Sequence, residues 1–173
     1  NRDNQGLSEY DIAASATAIY FQDPVKMLNT GTIGVAAAGD ALLGAITGVF
    51  FTDASTSKPT FANHLDASNA ATDIKGFVTD DPYERFEIQT NNSGASATTD
   101  IFNVADIVYA AGSSPDYVSQ VELNDSTLAA GSSATLQILG LSKDPDNSDV
   151  GSANVNWVVR INEHQLDMNV NGV

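Results

Sequence analysis

Residues 23–53 read DPVKMLNTGTIGVAAAGDALLGAITGVFFTD, and this stretch decides the fold class. It holds three apolar runs, 25–28, 32–36 and 41–51, which are separated by the sequences Asn-Thr-Gly and Ala-Gly-Asp. Glycine, asparagine and aspartate tolerate the positive φ angles of tight turns, and each run is too short for a stable helix. The stretch therefore predicts a β-meander of three strands.

Three glycines, Gly34, Gly44 and Gly48, lie inside these apolar runs. A glycine within a strand commonly marks a bulge, a bend or a close approach of two backbones. Their repetition indicates sharply curved strands, and such curvature favours a small barrel or a coiled sandwich over a flat open sheet.

Further strand signals follow at intervals of about 8–12 residues, which is the spacing of a sandwich or barrel. The clearest lies in residues 155–162, where alternation places Trp157 in the core. Residues 54–69 are expected to form a long loop, and Thr99–Asp106 a short helical turn. The chain is thus predicted to be all-β, a small β-barrel or β-sandwich of about eight to nine short strands with at most one short helix.

Length and composition predict a single domain. The 173 residues, of which 42% are hydrophobic, suffice for one core, which we expect over residues 12–173. Residues 1–11 are polar, contain Gly6 and show neither a helical nor a strand period. They are therefore expected to form an extended N-terminal arm that orders against a partner.

Charge and cysteine content exclude several classes of function. A net charge of −15 and a pI near 4.1 describe a surface that repels phosphate backbones, so we expect no nucleic-acid partner. The chain has no cysteine, which excludes disulfides, thiolate metal sites and a thiol nucleophile. It has no apolar run of about eighteen residues, so no membrane partner is expected either.

No motif points to catalysis. The two histidines, His64 and His164, do not have HExxH spacing, and they are interpreted as histidines with local hydrogen bonds. The sequence also has no nucleophile motif of the GxSxG kind. Asp80 and Asp81 with Glu84 resemble a glycosidase pair only superficially, because adjacent strand residues face opposite sides and Asp-Pro forms turns. We therefore predict a protein that is not an enzyme, with no catalytic residues and no cofactor.

An acidic loop is the one candidate metal site. Asp144, Asp146 and Asp149 lie close together in the sequence KDPDNSDVGSAN, and their oxygens are of the kind that calcium prefers. The loop lacks the glycine and the closing glutamate of an EF-hand. A solvated acidic turn is therefore the favoured interpretation, and no metal is predicted.

An ordered set of short sequences resembles a family of head decoration, or cement, proteins of tailed bacteriophages, common among marine phages. The matching sequences run in order over about 140 residues, and only the ordered set, rather than any one motif, is specific. They are Asp23-Pro24-Val25-Lys26, Gly31-Thr32-Ile33, Ala36-Ala37-Ala38-Gly39-Asp40, Leu43-Gly44-Ala45, Phe51-Thr52-Asp53, Ala71-Thr72-Asp73, Asp80-Asp81-Pro82, Phe86-Glu87-Ile88-Gln89, Thr99-Asp100-Ile101, Ile138-Leu139-Gly140, Asp144-Pro145-Asp146-Asn147 and the run from Val159 to His164.

The resemblance implies a structural protein on the outer surface of an icosahedral virion, assembled in the host cytoplasm. Its implied partners are the major capsid protein, whose subunit contacts it would reinforce, and further copies of itself, as a trimer or else a dimer. The chain departs from the family at residues 61–64, where Phe-Ala-Asn-His stands in place of the usual aromatic-proline pair. This departure affects what the resemblance implies about the contacts of that loop.

The arm and the 54–69 loop are the predicted contact regions with capsid or neighbouring copies. The residues predicted to lie in these interfaces are Arg2, Leu7, Tyr10, Tyr20, Phe21, Phe61 and His64. Two alternatives remain open. A carbohydrate-binding β-sandwich of a fibre or secreted protein would use exposed aromatic residues as a stacking platform, and a calcium-dependent adhesion module would use the acidic loop.

Overall fold

The computed structural model describes residues 6–91, 96–131, 133–152 and 154–167. Within these ranges it has short strands and two 3₁₀ helices, Thr98–Asp100 and Asp125–Thr127. The strands are β1 (Leu7–Asp11), β2 (Pro24–Met27), β3 (Ile33–Val35), β4 (Gly44–Thr52), β5 (Pro59–Ala62), β6 (Lys75–Thr79), β7 (Phe86–Gln89), β8 (Val104–Ala105), β9 (Ile107–Val108), β10 (Glu122–Leu123), β11 (Leu136–Leu141) and β12 (Asn156–Ile161). The predicted all-β class is confirmed, with more and shorter strands than expected.

The strands form open antiparallel sheets, arranged as in a sandwich. A six-stranded sheet has the order β1-β6-β4-β2-β3, with β5 also paired to β4. A four-stranded sheet has the order β7-β12-β11-β8, and β9 pairs with β10. Of the two predicted architectures, the barrel is therefore wrong, because neither large sheet closes on itself among the described strands.

The first sheet corrects the predicted meander. β2 and β3 form the expected hairpin, with Val25 opposite Val35. β4, however, pairs with β2, with Val25 opposite Gly44, so it lies on the other side of β2 from β3. The connecting residues 36–43 cross the end of the hairpin because Leu42 and Leu43 are buried there.

The strand glycines do bend β4, as predicted. The β4–β6 register shifts between Ile46 and Gly48, which is a bulge. At Gly44 a Cβ atom would overlap the carbonyl oxygen of Thr79, so only glycine allows the two backbones to come so close. The curvature of β4 therefore shapes an open sheet rather than closing a barrel.

The predicted N-terminal arm is partly wrong. Residues 7–11 form β1, an edge strand paired with β6 over five residues from Leu7 opposite Thr79 to Asp11 opposite Lys75. The sequence LSEYD is polar because one face and one edge of this strand meet solvent, and the strand gains its order from β6. Of the rest of the predicted arm, Gly6 is described and residues 1–5 lie outside the described residues.

The 54–69 loop also contains a strand. β5 pairs with the end of β4, with Phe61 opposite Phe50 and Pro59 opposite Thr52. Proline is tolerated here because β5 is an edge strand, whose outer N–H groups need no partner in the sheet. Beyond β5, Leu65 is fully buried and anchors the chain to the core.

Two hydrophobic clusters fill the molecule. The first lies against the six-stranded sheet and contains Val25, Ile46 and Val78, whereas the second surrounds Trp157, which is 0% exposed as predicted. Leu42, from the connection between β3 and β4, packs into the second cluster. The core of the four-stranded sheet therefore reaches into the first sheet.

The segment after β12 ties the two sheets together. The N–H of Leu42 donates to the carbonyl of Glu163 at 2.8 Å, and the N–H of Gln165 donates to the carbonyl of Leu42 at 2.8 Å. The Gln165 side chain also accepts from the N–H of Met27 at 2.6 Å.

No helix among the described residues is long and apolar enough to cross a membrane.

Candidate interaction surface

The outer face of the six-stranded sheet carries three phenylalanine side chains, Phe50, Phe61 and Phe77, which we call the aromatic patch. Phe61 is 68% exposed and Phe50 is 36% exposed. Phe50 stands directly opposite Phe61, and the rings of Phe61 and Phe77 are 5.6 Å apart between centroids and tilted by 34°. Cross-strand aromatic pairs of this kind rigidify each other, so the patch is a preformed apolar surface.

Strand parity explains how β4 builds this surface. Phe51 faces inward and is 8% exposed, whereas its neighbour Phe50 faces outward. Gly48, opposite Phe77, leaves a bare site on the same face, and the Phe61 ring lies over it, 3.2 Å from the position of a Cβ atom. The strand glycine therefore both bends β4 and seats Phe61.

Charged side chains lie beside the patch on β1 and β6. The Lys75 ammonium donates to the Asp11 carboxylate at 2.6 Å and lies 3.6 Å from Glu9. The hydrogen bond to Asp11 raises the pKa of Lys75, and the nearby Glu9 charge acts in the same direction. An apolar centre beside an exposed ionic cluster is the general arrangement of a protein-binding surface, which has an apolar core and a polar rim.

Two of the other predicted interface residues, Tyr20 and His64, make their contacts within the chain. The His64 ring stacks on Tyr117 with centroids 3.8 Å apart and planes 6° apart, and Tyr117 in turn stacks on Tyr20 at 6.4 Å. His64 Nδ1 lies 2.8 Å from the Asn63 side-chain oxygen. This ring stack joins the 54–69 loop to the 110–119 loop, so Tyr20 and His64 serve an internal contact.

Three of the remaining predicted interface residues also make contacts within the chain. Tyr10 donates its hydroxyl to Asp80 at 2.7 Å, and Leu7 is a half-buried residue of β1. Phe21 exchanges backbone hydrogen bonds with the 110–119 loop, accepting from the N–H of Ser119 at 2.8 Å. Arg2 lies outside the described residues. Among the predicted residues with described side chains, Phe61 alone lies in the aromatic patch.

A buried carboxylate lies where residues 19–23 meet the 110–119 loop. Asp23 is 0% exposed, and its Oδ2 accepts from the Tyr20 N–H at 2.8 Å and from the Tyr109 hydroxyl at 3.5 Å. Burial raises the pKa of Asp23, and the Ser119, Tyr20 and Tyr109 groups offset only part of that rise. Burial, with the Asp23 charge added, raises the pKa of Tyr109 to about 12.

The second histidine has a structural position. His164 is 1% exposed and accepts from the N–H of Leu166 at 3.0 Å through Nδ1. Burial lowers its pKa, although Asp80, Asp167 and Asp81 oppose that change. The imidazole is therefore neutral at pH 7 and part of the segment that ties the two sheets together.

The acidic loop does not gather its carboxylates. The Asp144 side chain accepts from the N–H of Asp146 at 3.0 Å, which closes a local turn. Within the described ranges, no three His, Cys, Asp or Glu side chains are placed to hold a metal ion. Asp144, Asp146 and Asp149 thus occupy a turn of the kind that the sequence favoured.

Comparisons of this chain with protein-family models, with curated proteins and with solved structures found no match. Phe50 and Phe77 were not among the predicted interface residues, because the bulge in β4 hides which residues face outward. The sequence did carry one signal, because strand alternation places Phe50 on the opposite face of the sheet from its buried neighbours.

Proposed function

We propose that this chain is a structural decoration protein that binds the outer surface of an icosahedral phage head and reinforces contacts between major capsid subunits. The observation that carries the proposal is the aromatic patch, an exposed apolar surface on a rigid sheet. The ordered sequence resemblance gives the patch its partner, the major capsid protein.

The charge and the architecture support the same proposal. A net charge of −15 disfavours contact with packaged DNA and suits an outer position on the head. Copies held on a lattice bind with avidity, so one modest contact surface per copy is sufficient. In this proposal the chain also associates with itself, as a trimer or else a dimer, on the symmetry axes of the shell.

The size of the patch sets the expected effect of removing its central ring. A phenylalanine side chain offers about 200 Å² of surface, of which 68% is exposed at Phe61, leaving about 140 Å² to bury. At about 25 cal/mol per Å² this is about 3 kcal/mol, or roughly a hundredfold in affinity per copy. Phe61→Thr keeps a residue suited to a strand and removes the ring.

The experiment is co-sedimentation of the purified chain with heads assembled from the major capsid protein encoded in the same genome. The Phe61→Thr variant is expected to lose binding, whereas Tyr83→Thr, which removes an 81% exposed ring outside the patch, is expected to retain it. A genome without a major capsid protein, or equal binding by both variants, would contradict the proposal. Oligomeric state is read from light scattering of the free chain.

The aromatic patch also favours one alternative, a carbohydrate-binding sandwich, because sugar rings stack on exposed aromatic faces. A glycan array distinguishes the two. Selective binding to one class of glycan that Phe61→Thr abolishes would replace the capsid proposal.

A further inference from the structure

A cleft lies along the free edge of the four-stranded sheet. One wall is β7, and the other wall is residues 119–122, which precede and enter β10. The two walls meet at one end, where Thr90 pairs in parallel with Leu123 and the N–H of Asn91 donates to the carbonyl of Leu123 at 2.9 Å. Beyond that junction they enclose an open cleft of about 650 Å³.

The backbone of β7 is only half used. The N–H of Thr90 donates to the carbonyl of Val155 at 2.9 Å, so even-numbered residues of this strand pair with β12 and odd-numbered residues point away from it. Glu87 and Gln89 therefore direct their N–H and C=O groups into the cleft. Within the described residues, no other backbone group pairs with them on that side.

An apolar cavity continues inward from the same cleft. It measures about 210 Å³ and is lined mainly by apolar side chains, including Phe86, Ile88 and Ile107 on the side of the second core. An apolar protein cavity of roughly 150 Å³ holds benzene, so this one has room for a large apolar side chain. A strand beside β7 would direct alternate side chains toward it.

The charged side chains that line the cleft are all acidic. Glu87 and Glu122 line it, and none of the described residues that line the cleft or its inner cavity is a lysine or an arginine. The Glu87 carboxylate accepts from the Ser142 hydroxyl at 2.7 Å. An occupant with basic side chains is therefore electrostatically favoured over an acidic one.

We propose that this cleft binds an extended peptide segment of another protein, with apolar and basic residues in alternation. The segment adds a strand to the edge of β7, pairing with the backbone of Glu87 and Gln89. Its apolar side chains enter the inner cavity and its basic side chains face Glu122. This inference is independent of the proposed capsid function, since the aromatic patch lies on the other sheet.

The test uses the full chain labelled with ¹⁵N and the synthetic peptide acetyl-VKVKVK-amide, titrated to about 1 mM. We expect chemical-shift changes centred on β7 and residues 119–122, and slower hydrogen exchange of the Glu87 and Gln89 amides in the complex. The peptide VEVEVE and a fully N-methylated VKVKVK, which cannot donate backbone hydrogen bonds, are expected not to bind. Equal binding of the acidic peptide, or shifts elsewhere, would overturn the inference.

Two variants and a matched control sharpen the result. Glu122→Lys is expected to weaken binding of VKVKVK about threefold to tenfold, whereas Asp146→Lys, with the same change in net charge but outside the cleft, leaves it unchanged. Gln89→Pro removes one N–H that points into the cleft and spares the pairing with β12. If Gln89→Pro fails to fold, the Glu122 and Asp146 pair still decides the outcome, and equal affinities for that pair refute the proposal.

Discussion

Replacing Asp23 with asparagine is expected to stabilise this protein at neutral pH. The carboxylate is fully buried, and its Oδ1 makes no hydrogen bond of good geometry within the described residues, although the Ser119 hydroxyl lies near enough to lower the pKa of Asp23. Asparagine keeps an oxygen in place of Oδ2 to accept from the Tyr20 N–H, removes the charge, and offers an NH₂ group toward the Ser119 hydroxyl. An unsatisfied buried polar atom costs about 1–3 kcal/mol, so we expect a gain of about 1 kcal/mol at pH 7.

The sign of the pH dependence follows from the raised pKa. Because the folded state holds the Asp23 proton more tightly than the unfolded state, the wild-type protein gains stability from this group as pH falls through the folded pKa. That gain is complete below the ordinary value of 3.8. The advantage of Asp23→Asn is therefore largest at neutral pH and declines on acidification.

The measurement is urea unfolding of wild-type and variant proteins from pH 4 to pH 8. Carboxylates whose pKa is lowered, such as Asp53 at about 2 through its Ser55 and Thr56 hydrogen bonds, destabilise both proteins equally in acid, so the difference isolates Asp23. At pH 7 the gain corresponds to about 2–4 °C in melting temperature. Asp116→Asn, an exposed carboxylate change, serves as the control. A variant less stable than wild type at pH 7, or a difference independent of pH, would refute this reasoning.

Three further outcomes are expected. Gly44→Ala places a methyl group against the Thr79 carbonyl and should lower the free energy of unfolding by about 1–3 kcal/mol in urea titrations, whereas Gly131→Ala, which meets no atom within 4 Å, should change it by less than about 0.5 kcal/mol. Removing residues 1–11 deletes β1 and exposes the edge of β6, so thermal melting followed by circular dichroism should show a lower midpoint; an unchanged midpoint would mean that the arm predicted from sequence was correct after all. EDTA should leave the melting temperature unchanged, since the Asp144 carboxylate already closes a local turn, and a decrease would revive the calcium hypothesis.

Local periodicity predicted some of these strands and not others. Residues 155–162 alternate over their whole length, so β12 and the burial of Trp157 were evident from sequence. β1 was not, because the short sequence LSEYD at a sheet edge carries no clear periodic signal and is ordered by a strand 64–72 residues away. The crossing of residues 36–43 was likewise set by the burial of Leu42, which local turn signals do not encode.

The interaction surface was predictable to a similar extent. Phe61 was predicted as a contact residue because it interrupts a polar loop, yet its strand and its partner Phe77 depend on long-range pairing. Tyr20 and His64 were also predicted as contact residues, and they form the ring stack with Tyr117 instead. An aromatic residue near a loop therefore indicates a contact, and only the fold tells whether that contact is internal or external.

The two proposed surfaces are separable because they lie on different sheets. The aromatic patch is part of the outer face of the sheet that contains β4, β5 and β6. The cleft, by contrast, lies along an unpaired strand edge, that of β7. Phe61→Thr should therefore leave binding of the basic peptide unchanged, and Glu122→Lys should leave binding to heads unchanged. If Glu122→Lys also weakened binding to heads, the extended segment would belong to the capsid protein itself, and the two surfaces would act as one bivalent contact.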